Sequence, residues 1–178
     1  MGCTMSLAPD PGVVCRKIIM VLEKVQMLPG EFCARSWGAA GERIRAWEQE
    51  GLVTWLGRSD DVRAHIAAAE CVVLPSYYRE GTPKSLLEAA SMGKPLITTD
   101  AVGCRQTVDD GVNGFLCRPR DAEDLAAKMR DFLALSAAKR EQMGQKSREK
   151  MVREFDERIV LGKYMAAVRE IGGYPFGA

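Results

Sequence analysis

Four consecutive apolar residues, Cys71-Val72-Val73-Leu74, end abruptly at Pro75. A strand sends alternate side chains to opposite faces, so an unbroken apolar run needs apolar cover on both. A parallel sheet sandwiched between helices meets that condition. Pro95-Leu96-Ile97-Thr98-Thr99 gives a second buried strand. Between the two lies a helical stretch, 83–92, with proline in its first turn and Gly93 past its end. Strand, helix and strand in that order make one parallel crossover unit.

The alternation continues on both sides. Residues 41–50 read as a helix and 52–56 as a strand stopped by Gly57. Ser59, Asp60 and Asp61 offer N-caps for a helix running to Ala69. The 111–114 segment is a turn, and Phe115-Leu116-Cys117 is a short strand after it. Asp121 caps a helix whose Leu125, Met129, Phe132 and Leu133 share one face. Two further helices follow, over about 137–154 and 156–170. The first forty residues fit less well. Residues 13–25 read as a helix, and a weakly patterned strand is expected within 28–37. The expected fold class is α/β: a single Rossmann-like domain with a parallel sheet and helices on both faces, and residues 156–178 form a helical extension.

A length of 178 residues suits one domain, and 47% hydrophobic with 28% charged residues suits a globular one. The net charge of +1 provides no field that would gather nucleic acid or an anionic membrane. No apolar run is long enough for a membrane span, so membrane association would be peripheral at most. The first eleven residues lack the basic start and apolar stretch of a secretory signal. Met1-Gly2-Cys3-Thr4-Met5-Ser6 fits the loose myristoylation pattern, and a frayed chain start explains it equally. The six cysteines lack zinc-knuckle spacing, and Cys71 and Cys117 lie in apolar runs, so reduced thiols in a cytoplasm are expected. His65, the sole histidine, falls inside a helical pattern and reads as structural or solvent-facing.

Ligands of open parallel sheets sit where strands end and helices begin. After the strand at 71–74 the chain reads Pro75-Ser76-Tyr77-Tyr78-Arg79-Glu80-Gly81-Thr82-Pro83-Lys84-Ser85-Leu86-Leu87-Glu88. A helix starting at Pro83 points backbone N–H groups and a partial positive charge at whatever precedes it. Gly81 lets a ligand approach the backbone. Lys84 disfavours the helix start, which an anionic ligand would explain, and a solvated lysine is the alternative. Glu80 and Glu88 flank this start, and carboxylates accept hydrogen bonds from vicinal hydroxyls. The pattern suits a diphosphate with a sugar on one side and a ribose on the other.

The stretch from Trp47 to Phe155 resembles the C-terminal domain of glycosyltransferase family 4, of GT-B fold. The matching segments include Val53-Thr54-Trp55-Leu56-Gly57, Val72-Val73-Leu74-Pro75-Ser76, Arg79 to Ala89, Gly93-Lys94-Pro95, Gly103-Cys104-Arg105 and Asp110 to Leu116. The resemblance implies a retaining transferase of polysaccharide or glycan biosynthesis. Its substrate would be a UDP- or GDP-linked sugar, with no further cofactor and no metal. Glu80 would hold the donor sugar as the catalytic residue, and Glu88 the ribose hydroxyls. The backbone of Gly81, Thr82, Pro83, Lys84, Ser85 and Leu86 would cradle the diphosphate. Gly57 and Arg58 would form the wall near the base, and Ser76 and Gly103 would line the cleft. The same resemblance implies a partner, an acceptor-binding domain or chain, against which the 155–161 segment would pack. It also implies an arginine and a lysine after the first strand, where Ser6 and Pro11 stand. Two cations fewer would compensate a diphosphate poorly. A catalytic half-enzyme, a non-catalytic nucleotide-sugar-binding module and a nucleotide-sugar epimerase are thus the competing functions.

Overall fold

The burial of one strand fixes the layering. In a computed structural model of the protein, which describes residues 3–7, 18–22, 42, 45–58, 61–78 and 81–172, β4 (Cys71–Leu74) is buried at every position. Cys71 and Val73 join Ile97 and Phe132 in one apolar cluster, with Phe115, Leu125, Met129 and Leu133 packed against it. Val72 and Leu74 point the other way, into a cluster with Ile66, Leu86, Ala89, Ala90, Leu96 and Met151. Alternation along the strand thus requires helices on both faces, as the apolar run predicts.

Six strands form one sheet in the order β3-β1-β2-β4-β5-β6. They are β1 (Cys3–Leu7), β2 (Ile18–Leu22), β3 (Val53–Arg58), β4, β5 (Leu96–Thr99) and β6 (Gly114–Cys117). Strands β2, β4, β5 and β6 pair in parallel. Helix α3 (Ala122–Ala134) supplies Phe132, Leu125 and Met129 to one face. Helices α1 (Arg63–Ala68), α2 (Lys84–Ser91) and α4 (Ala137–Glu154) cover the other. Helix α5 (Glu157–Gly172) ends the described chain, and its Val160, Leu161, Tyr164, Met165 and Val168 are exposed.

Several expectations need correction. Residues 13–25 are not one helix: 18–22 is a strand, paired Ile18 to Cys71 and Met20 to Val73. Ile-Ile-Met-Val-Leu is too short a run for periodicity to separate helix from strand, and its β-branched residues favour the pleated sheet. The sheet is not wholly parallel. Strand β1 runs antiparallel to both neighbours, and its Cys-Thr-Met-Ser-Leu alternation is the pattern of antiparallel strands rather than buried parallel ones. Strand β3 does not stop at Gly57 but continues to Arg58, opposite Cys3. Helix α1 begins after Val62 without a side-chain cap; Asp61 instead accepts from the Arg63 backbone N–H at 3.0 Å. Pro83 sits just before α2, in an extended conformation, rather than inside its first turn. The strand expected in 28–37 lies outside the described residues. The helix over 41–50 is seen at 42 and 45–49, and the Asp121 cap is present, its carboxylate accepting from the Asp124 N–H at 2.9 Å.

Candidate functional site

Three strand ends meet at one edge of the sheet. Strand β4 runs into Pro75 and Ser76, β5 into Asp100 to Gly103, and β6 into Arg118 and Arg120. Buried threonines fasten these ends together. The Thr98 hydroxyl donates to the Leu74 carbonyl at 2.7 Å, and the Thr99 hydroxyl donates to the Ser76 carbonyl. The Cys104 thiol lies 4.0 Å from that same oxygen. Ser76 is therefore held in place by its backbone. Gly103, buried with φ of 89°, makes the turn that returns the chain beneath it.

The segment entering α2 is held at one point and open at another. The Thr82 hydroxyl donates to Gln106 Oε1 at 2.9 Å, tying it to the 3₁₀ turn Cys104–Thr107. Around Gly81, by contrast, a Cβ would meet no atom within 4 Å. No side chain caps the start of α2. Its apolar face, Leu86, Ala89 and Ala90, is buried at helical spacing and anchors it to the sheet. Pro83 is buried and Ser85 half-buried, while the Lys84 side chain is 87% exposed. Lys84 Nζ lies 3.7 Å from Glu88 Oε1 one turn on, and Glu88 is half-exposed. The structure thus brings Ser76, Gly81 to Leu86, Glu88 and Gly103 to one edge. Gly57 and Arg58 end β3 at the same edge, beyond β1 and β2 from β4. Glu80 lies outside the described residues.

Sequence reasoning missed three features of this edge. Tyr77 and Tyr78 stack with centroids 4.7 Å apart, and the Arg120 guanidinium lies 4.6 Å from the Tyr77 centroid. Arg120 has φ of 60°, the one non-glycine among the described residues with positive φ. Asp61 and Arg63 lie across from Glu88, joined by two side-chain hydrogen bonds of 2.8 Å. Those bonds hold the Asp61 carboxyl down at about 2. The only sequence signals were an arginine two residues from an aspartate, common on any surface, and two threonines in a buried strand, where a hydroxyl needs a partner.

Elsewhere the chemistry is self-satisfied. A larger opening of about 1010 Å³ lies at the strand-start edge, between the end of α2 and α4. Its Lys94 donates to the Ala67 and Ala69 carbonyls, and its Arg140 pairs with Glu70 at 3.3 Å. The cysteines Cys71, Cys104 and Cys117 are buried free thiols, and burial pushes Cys117 up to about 11, so they act as core. No helix among the described residues is long and apolar enough to cross a membrane.

Residues 40–150 match the family described as glycosyl transferases group 1. The chain belongs to that family. Campylobacter jejuni N,N'-diacetylbacillosaminyl-diphospho-undecaprenol alpha-1,3-N-acetylgalactosaminyltransferase is 30% identical over 115 residues, 65% of this chain and 30% of that protein. Bacillus anthracis N-acetyl-alpha-D-glucosaminyl L-malate synthase is 29% identical over 151 residues, 83% of this chain and 38% of the relative. The chain therefore spans only 30% and 38% of the length of these two curated relatives. Among solved structures, the sucrose-phosphate synthase of Thermosynechococcus elongatus superposes with a TM-score of 0.65 at 30% identity, covering 80% of this chain and 37% of that one. Anabaena HepE in complex with UDP superposes with a TM-score of 0.68 at 23% identity, covering 75% and 36%. The fold is the α/β fold of GT-B glycosyltransferases.

Proposed function

We propose that this chain is the donor-binding half of a retaining family 4 glycosyltransferase of polysaccharide or glycan biosynthesis, with a UDP- or GDP-sugar bound along the strand-end edge. One observation carries the reading. An uncapped helix start opens onto empty space at Gly81, and one turn further Glu88 stands half-exposed on the same helix. The start suits a diphosphate and Glu88 suits ribose hydroxyls. Anabaena HepE binding UDP on the same fold supports this.

In this reading the backbone of Gly81 to Leu86 holds the diphosphate and Glu80 holds the sugar, while Gly57 and Arg58 wall the base and Ser76 and Gly103 support the cleft. The anomeric C1–O bond to the diphosphate breaks. The acceptor hydroxyl forms the new C1–O bond on the same face, and its proton passes to the departing diphosphate. The charge that develops is met by the helix start and by protein cations, with no metal or cofactor. A separate domain or chain supplies the acceptor.

A second reading, a module that binds a nucleotide sugar without turning it over, is favoured by the register of β1. Ser6, in the place of the expected arginine, pairs with Thr54 and Ile19 near the starts of the parallel strands, at the edge opposite Gly81. Pro11 lies outside the described residues.

Calorimetry with UDP- and GDP-sugars on wild type and Glu88→Ala tests the site. Micromolar binding that Glu88→Ala weakens is the expected result. Absence of binding to any nucleotide sugar would sink the donor site. Hydrolysis or transfer by the isolated chain would remove the second reading.

A further inference from the structure

Beside the Glu88 face of α2 lies a cavity of about 440 Å³, lined by Asp61, Val62, Arg63, Glu88, Ser91 and Met92. That volume falls within the roughly 300–1,000 Å³ of small-molecule sites. Val62 and Met92 give it apolar wall, and Asp61 and Arg63 give it polar edge. Arg63 is held in orientation. Its Nε and Nη2 each donate to the Asp61 carboxylate at 2.8 Å, and its backbone N–H donates to the same group at 3.0 Å. A guanidinium carries five N–H donors and no acceptor. The two side-chain bonds use one N–H each at Nε and Nη2, so the Asp61 carboxylate fixes a group whose further donors stand on the edge away from it.

This inference rests on Glu88 taking the ribose, because the base is bonded directly to that sugar and would enter the adjoining cavity. We infer that the cavity takes the donor's nucleobase and that Arg63 selects bases presenting a carbonyl oxygen, uracil or guanine, over those presenting an amino group, cytosine or adenine. Uracil O4 and guanine O6 accept hydrogen bonds, whereas cytosine N4 and adenine N6 donate them. An amino group at that point sets N–H against N–H and leaves both sides unsatisfied.

The test is calorimetric titration of the full chain with UDP, GDP, CDP and ADP, in wild type, Arg63→Gln and Arg63→Lys. Wild type is expected to bind UDP and GDP at least about tenfold more tightly than CDP and ADP. Glutamine, which both donates and accepts, is expected to collapse that ratio towards one, and lysine, a donor only, to keep it. The Arg63 side chain is 77% exposed, so both variants fold, and a melting curve checks this. Equal binding of all four nucleotides by wild type, or a ratio unchanged in Arg63→Gln, overturns the base selection. Failure to bind any of the four overturns the donor site itself and this inference with it.

Discussion

At its C-terminal end, helix α2 is closed by backbone. The Gly93 N–H donates to the Ala90 carbonyl and the Lys94 N–H to Ala89, a Schellman closure with Gly93 at φ of 70°. There the helix lies against α4 so tightly that a Cβ on Gly144 would stand 2.2 Å from the Gly93 oxygen. At its N-terminal end no side chain caps it, and Gly81 has open space around it. One helix is thus fixed to the core at one end and left unoccupied at the other. Burial of Leu86, Ala89 and Ala90 holds it in place, so the open end can keep unsatisfied polarity for a ligand.

Breaking the closed end has the largest expected effect. Gly144→Ala drives a methyl group into a backbone carbonyl that neither helix can move cheaply. We expect a loss of about 3 kcal/mol and a melting temperature lower by about 10 °C. An unchanged melting curve would show that α2 and α4 slide freely and that the contrast between the two ends is false. Next comes Glu88→Ala at the open side. Removing a charged acceptor from two hydroxyls is expected to raise the Kd for UDP by about thirtyfold, roughly 2 kcal/mol, with no loss of melting temperature. Destabilisation without loss of affinity would place Glu88 in the scaffold instead.

Gly93→Ala is milder than Gly144→Ala, although the two glycines touch. A Cβ on Gly93 would come no closer than 3.6 Å to the Gly144 oxygen, so only the positive φ is costly. About 1 kcal/mol is expected, and Gly93→Asn, which tolerates that conformation better, should lose less. Equal losses for alanine and asparagine would point to packing rather than backbone conformation.

The closed end was legible in the sequence and the open end only partly so. Gly93 after an amphipathic stretch, and Cys71-Val72-Val73-Leu74 before Pro75, carry their structure in local pattern. Ile18 to Leu22 is as apolar as β4 and lies beside it, yet it reads as helix, because charged residues on either side fit a helical period and no proline bounds it. The register of β1, which carries Ser6 away from the site, depends on pairings fifteen and more residues distant. The approach of Asp61 and Arg63 to Glu88 is tertiary in the same way, set by two helices packing on one sheet face.

Lys84 gives the smallest and most discriminating test of the open end. It pairs with Glu88 at 3.7 Å, but its side chain is 87% exposed, and a lysine placed N-terminal to its glutamate is the weaker order for such a pair. A cation in the first turn also opposes the helix dipole. The pair therefore contributes little to folding, and Lys84→Gln is expected to change stability by less than about 0.5 kcal/mol. If the open end receives a diphosphate, the same substitution should weaken UDP about fivefold at low salt and leave uridine untouched. Raising the ionic strength should shrink that difference, because an exposed charge is screened. A fall in melting temperature with unchanged UDP binding would make Lys84 a scaffold residue. Equal weakening of UDP and uridine would mean that the lysine acts through Glu88, by holding its carboxylate in place, rather than on the phosphates.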